Sequence, residues 1–139
     1  MASRIPRIKS RGVGGRMDSH VTILPRIIDP ERAQAELALN PNWILVREDM
    51  KFVALLPAVD LTRALKEQPE ASTLDLLAIP AERSQVAGAL LQATLQEALE
   101  VLDATNTDAV YVSDDALPGT EHVYGVLTRE RIERSYRYS

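Results

Sequence analysis

Two stretches of this chain, 65 residues apart, carry the same local instructions. In "TLQEALEVLDATNTDAVYV", Thr94 and Glu97 have the spacing of a capping box, in which hydroxyl and carboxylate satisfy the orphan amides of a helix start. Leu95, Ala98, Leu99 and Leu102 then recur at i, i+3, i+4 and i+7, which predicts a helix over 94–104 with one apolar face. "ATNTD" ends that helix, "AVYVS" reads as a β-branched strand, and "DDALPGTE" is rich in turn residues. "HVYGVL" makes the next strand, and Thr128 opens a last helix over 128–136.

The first half repeats this order in "IDPERAQAELALNPNWILVREDMKFVALLPAVDLTRALKE". Asp29 is placed to cap a helix with Pro30 at its first position, where a missing N–H costs nothing. "NPN" breaks the helix, "WILV" and "FVALL" are strands around the turn "REDMK", and Pro57 starts a helix with Ala58, Leu61 and Leu65 on its apolar face. Ala33 and Leu37 match Ala98 and Leu102, while Ala54 matches Gly125 at an offset of 71, the difference lying in a longer loop around Pro118 and Gly119. Either half alone has too little core to be stable, so the pattern predicts two β-α-β-β-α repeats packed about a pseudo-twofold axis. The expected division is a first repeat over 21–70, a connector over 71–91 and a second repeat over 92–137.

Composition limits what such a fold can do. Cysteine is absent, which excludes disulfides and thiolate chemistry and fits a reducing cytoplasmic home. With one Phe and one Trp, the core must be built from Leu, Val, Ile and Ala. Residues 1–20 read as a basic, flexible arm or linker: Arg4, Arg7, Lys9, Arg11 and Arg16 give residues 1–17 a charge of +5, which leaves −9 for the rest of a chain whose net charge is −4. That acidic body excludes a general nucleic-acid binder. "FVALLPAV" falls far short of the roughly 20 apolar residues that span a bilayer.

A tandem β-α-β-β-α unit ending in "GVLTRE" resembles the CBS domain, named after cystathionine β-synthase, in its paired Bateman form. The resemblance covers residues 21–137, with the second copy closer to the family than the first. More narrowly, "HVTILPRIIDPERA", "TLQEALEVLDATNTDAVYV" and "YGVLTRERIE" resemble the cytoplasmic tail of bacterial ClC chloride channels and chloride/proton antiporters. The resemblance implies an α/β CBS pair that associates as a homodimer through its helices. It also implies a transmembrane chloride-transport domain as partner, at the inner face of the membrane.

In family members that bind adenine nucleotides (ATP, ADP or AMP), the pattern Gly-x-x-Thr/Ser-x-x-Asp spans the last strand and first helical turn, and its carboxylate takes the ribose hydroxyls. Here it falls on Gly125, Thr128 and Arg131 in the second repeat, with a guanidinium in place of the carboxylate. In the first repeat it falls on Ala54, Pro57 and Asp60, keeping the acid and losing the hydroxyl. Asp60 therefore reads as a ribose ligand or as an acid favoured by the helix dipole. Arg131 shares its helix with Glu130–Arg134 and Glu133–Arg137, both i, i+4 pairs in the favourable order.

No catalytic constellation emerges. "GVGG" at 12–15 lacks the Lys-Ser/Thr of a phosphate loop, and the serines lack the context of a nucleophile elbow. His20 and His122 have no clustered acids to complete a metal site, "SDD" at 113–115 reads as a polar turn, and Trp43 reads as core or interface. The expected function is a non-catalytic regulatory and dimerisation module of a chloride transporter, with weak or absent nucleotide binding and no required cofactor. The alternative is a stand-alone CBS-pair sensor of AMP or ATP.

Overall fold

The structure, a computed structural model, describes residues 11–114 and 121–137. The chain forms two compact units, one over His20–Gln85 and one that joins the N-terminal segment to the chain from Val86 onward.

In the first unit, β1 (Val21–Pro25) lies parallel to β3 (Trp43–Glu48), and β3 is antiparallel to β4 (Lys51–Pro57). Helix α1 (Pro30–Leu37) is capped as its sequence predicts, with the Asp29 side chain accepting from Arg32 N–H at 2.9 Å and Pro30 at the first position. Helix α2 (Ala58–Glu67) follows β4 directly. Asp49 and Met50 both take positive φ (51° and 64°) in the tight turn between β3 and β4, as a two-residue hairpin of matching twist requires. A short pair, β2 (Ile27–Ile28) with β5 (Leu74–Asp75), closes the unit.

The second unit repeats the plan. Strand β6 (Val86–Leu90) is parallel to β7 (Ala109–Ser113), which is antiparallel to β8 (Val123–Thr128). Helix α3 (Leu95–Thr105) starts on the expected capping box, with Glu97 N–H donating to Thr94 Oγ1 at 3.1 Å and Thr94 N–H donating to Glu97 Oε1 at 3.0 Å. Helix α4 (Arg129–Arg137) ends the described chain.

The repeat extends to individual hydrogen bonds. Val46 pairs with Ala54 just before a bulge, and Val112 pairs with Gly125 just before another. Ala58 N–H donates to Asn42 O at 3.0 Å, and Arg129 N–H donates to Asp108 O at 2.8 Å. Asn40 and Asn106 both adopt left-handed backbone after the first helix of their repeat (φ 58° and 53°), a conformation that asparagine tolerates better than most side chains.

Each unit has its own core. Leu24, Ile44, Val46, Leu56 and Leu61 are buried in the first, and Leu95, Ala98, Leu102, Val110, Val112 and Ile132 in the second. Val126 is buried too; Leu99, on the predicted apolar face, is half-buried at the margin of α3. Trp43 is half-buried, at the start of β3.

Two expected boundaries move. Val13 is completely buried, its N–H donates to Ala93 O at 3.0 Å, and Asp18 and Val126 exchange backbone hydrogen bonds at 2.8 and 3.0 Å. Residues 11–19 are thus an integral strap of the second unit instead of a flexible arm, because an apolar Val and a free strand edge hold them there. Arg4, Arg7 and Lys9 lie outside the described residues, as do Pro118 and Gly119. The expected connector over 71–91 also divides. Leu74, Leu76 and Ile79 enter the first core, while 86–90 is the opening strand of the second unit.

Among the described residues, no helix is long and apolar enough to cross a membrane.

Candidate functional site

Strand β4 runs straight into α2, which carries Asp60 into the first helical turn. Ala54 is buried on β4, and Pro57 is the cap residue with extended backbone and no side-chain acceptor. Asp60 is only 5% exposed, and both its oxygens are engaged. Oδ1 accepts from Arg63 Nη1 at 3.1 Å; Oδ2 accepts from the backbone N–H of Glu82 at 2.9 Å. Two residues further on, Ser84 exchanges backbone hydrogen bonds with Leu55 at 2.8 and 2.9 Å. Residues 82–84 therefore run along the outer edge of β4 and over the acid that the nucleotide pattern singles out.

The approach of that segment is held by an ion-pair network. Arg26 donates through Nε and Nη2 to the two Asp75 oxygens, both at 3.0 Å, and through Nη1 to Glu48 at 3.0 Å. This fork, with a further bond from Leu77 N–H, holds the Asp75 carboxyl below the usual carboxylate range and raises the Arg26 guanidinium. Arg83 Nη1 donates to Ile79 O at 2.5 Å, within the segment that leads to the β4 edge.

In the second unit, β8 delivers Gly125 and Thr128, and α4 delivers Arg131. The Thr128 hydroxyl accepts from Arg131 N–H at 3.2 Å, so it caps the helix. Arg131 donates through Nε to the backbone carbonyl of Arg16 at 2.5 Å. A Cβ at Gly125 would stand 2.7 Å from Asp18 O and 2.9 Å from the Met17 side chain, so only glycine lets the strap lie this close. The Glu130–Arg134 pair forms at 2.7 Å, while the Arg137 side chain lies outside the described residues.

The two units thus share one solution with the polarity reversed. A carboxylate at position 60 takes a backbone N–H from its strap; a guanidinium at position 131 takes a backbone carbonyl from its own. In each unit, the charged residue at the ribose position of the pattern fastens the chain to itself. Sequence reading placed Asp60, Pro57, Gly125, Thr128 and Arg131 on the correct strand ends and helix starts, but it missed both straps. The apolar density of "STLDLLAIP" inside an expected connector was the available signal for the first. Among the described residues, no group of His, Asp and Glu is arranged to hold a metal ion.

No family model matches the sequence, and no curated protein does. Solved structures do match. The CBS domain of a protein assigned as a transporter, from Clostridium difficile 630, aligns with a TM-score of 0.60 at 15% identity, covering 94% of this chain and 97% of that one. The CBS domain of the bacterial CNNM/CorC family Mg2+ transporter, solved in complex with ATP, aligns at 0.56 and 14% identity, covering 94% and 89%. The CBS domain pair of protein MJ0100, solved with 5-methylthioadenosine and S-adenosyl-L-methionine, aligns at 0.52 and 18% identity, covering 91% and 96%. At such identities the likeness establishes the fold, and the fold is that of a CBS-domain pair with two β-α-β-β-α repeats.

Proposed function

We propose that this chain is a non-catalytic regulatory and dimerisation module of an ion-transport protein, in which the family's ribose position serves structure more than ligand. The observation that carries this reading is Asp60, nearly buried and committed through both oxygens to Arg63 and Glu82. A ribose at that acid must first displace the Glu82 N–H, and at Arg131 it would meet donors where the pattern supplies acceptors. Each charged hydrogen bond forgone is worth about 1.5–3 kcal/mol, or roughly ten- to a hundredfold in affinity. Adenine nucleotides are therefore weak ligands here or none.

The chloride channel or antiporter parent is the finer part of the proposal. It is supported by the resemblance of "HVTILPRIIDPERA" and "YGVLTRERIE" to ClC tails, and the CNNM/CorC neighbour supports an ion-transport context of a different kind. Regulation in such a module acts by differential affinity: a ligand or a second copy biases the attached transport domain only as far as it prefers one arrangement of the repeats. Exposed Val59 on α2 and Leu39 just after α1 favour burial against a second copy.

Calorimetric titration with ATP, ADP, AMP and adenosine tests the reading, alongside light scattering of the free chain. Weak or undetectable binding and a mass near twice 15.4 kDa are expected. Sub-micromolar ATP affinity would overturn the weak-site reading in favour of a nucleotide sensor, and its loss in Asp60→Ala would identify Asp60 as the ribose ligand. A monomer mass at high concentration would remove the dimerisation role.

A further inference from the structure

The turn at Gly12–Gly15 lacks the lysine and hydroxyl of a nucleotide phosphate loop. Its surroundings nevertheless carry charge that no described carboxylate pairs. Arg11 and Arg16 flank the turn, and a concavity of about 530 Å³ opens between Arg11, Gly12, Gly14, Gly15, Arg16 and Leu91. The Nη1 nitrogen of Arg11 is buried and, among the described residues, has no hydrogen-bond partner. Among the described residues, neither arginine side chain is paired with a carboxylate. With one nitrogen shielded from water and no carboxylate beside it, the Arg11 guanidinium keeps its charge to offer, through its accessible nitrogens, to an oxyanion in the concavity.

The frame is fixed on both sides. Leu95 N–H donates to Arg11 O at 2.8 Å, and Val13 N–H donates to Ala93 O at 3.0 Å. Arg131 holds Arg16 O from the other side at 2.5 Å. A Cβ built on Gly15 meets nothing within 4 Å, so the wall of the concavity is bare backbone with room beside it. Two arginines on a fixed turn present forked donors that match the geometry of phosphate oxygens.

We infer that this turn is a phosphate-binding site of the second unit, with Arg11 and Arg16 as its ligands. The group it takes is a phosphate or diphosphate, carried by a soluble molecule or by a lipid headgroup. None of the residues in the ribose pattern serves as a ligand, so the site stands or falls apart from nucleotide binding in the clefts.

The test is calorimetric titration of the full chain with pyrophosphate, and cosedimentation with phosphatidylglycerol vesicles against neutral phosphatidylcholine vesicles. Three variants accompany the wild type: Arg11→Gln/Arg16→Gln, Gly15→Asp, and the exposed control Arg32→Gln. Gly15→Asp fits the open space and sets a carboxylate against the two arginines, so it should abolish binding while leaving the thermal midpoint unchanged or higher. The double variant should lose at least about tenfold in affinity, and the control should match wild type. Saturable pyrophosphate binding with this pattern identifies a soluble ligand; the same pattern on anionic vesicles alone identifies a headgroup. Absence of both up to about 1 mM, or affinity unchanged in Gly15→Asp, overturns the site.

Discussion

Asp60 Oδ2 accepts the backbone N–H of Glu82 at 2.9 Å across 22 residues of sequence, which makes a first-turn acid the clasp of a strap. Asp60→Ala leaves that amide and the Arg63 side chain without their acceptor, and should cost the chain about 1–3 kcal/mol of stability. Asp60→Asn keeps an oxygen for Glu82 and loses little beyond the Arg63 pair, about 0.5 kcal/mol. Urea unfolding of both variants measures the difference. An acid kept only for a ligand would give an Ala variant as stable as wild type.

Gly125→Ala should dislodge the strap from the other repeat. The added methyl meets Asp18 O at 2.7 Å, and this oxygen is fixed by the hydrogen bonds between Asp18 and Val126. We expect a loss of about 1–3 kcal/mol and faster cleavage by trypsin after Arg11 or Arg16. Ala54→Gly at the equivalent position of the first repeat should not produce that cleavage.

Thr94→Ala removes the hydroxyl half of the α3 capping box and should cost about 1 kcal/mol. Asp29→Ala at α1 should cost a similar amount, since its carboxylate accepts from Arg32 N–H at 2.9 Å. Because the two caps belong to separate units, the double variant should lose the sum of the single losses within about 0.5 kcal/mol, as read by chemical unfolding.

The Arg26 fork sets an acid limit on stability. Asp75 has its folded pKa lowered by Arg26 and by Leu77 N–H, so its contribution is fully present above the ordinary carboxylate range. It is lost as pH falls through the lowered folded value. Wild type and Asp75→Asn should therefore differ in stability at pH 7, and the gap should shrink as pH falls through and below the ordinary carboxylate range. A gap that stayed constant through that range would remove the titration of Asp75 from the explanation.

Much of this fold is legible in the sequence because its signals are local. The capping box at Thr94, the Asp29–Pro30 start and the apolar faces of the helices need only a few adjacent residues to be read. The offset of 71 between Ala54 and Gly125 survives as an equivalent strand register with a bulge after each pair. What escaped reading was long-range and backbone-mediated. Nothing in the identity of Arg16 reveals that its carbonyl is held by Arg131, and Glu82 meets Asp60 through an amide that every non-proline residue possesses. Val13 escaped because one apolar residue among glycines and arginines has no periodicity to betray it. The pattern therefore placed its residues on the right strand ends and helix starts, while the backbone contacts made by Asp60 and Arg131 were not legible.

The bond between Arg131 and Arg16 joins positions 115 residues apart, so the second repeat is completed by chain made long before it. During synthesis the first repeat has all its strands once Gln85 has emerged, well before β8 is made. Residues 11–19 must wait for β8, and their capture carries the entropy of closing a loop that contains the whole first repeat. The second repeat cut free at Val86 would lack this segment and present the outer edge of β8 unpaired, a surface prone to joining other strands.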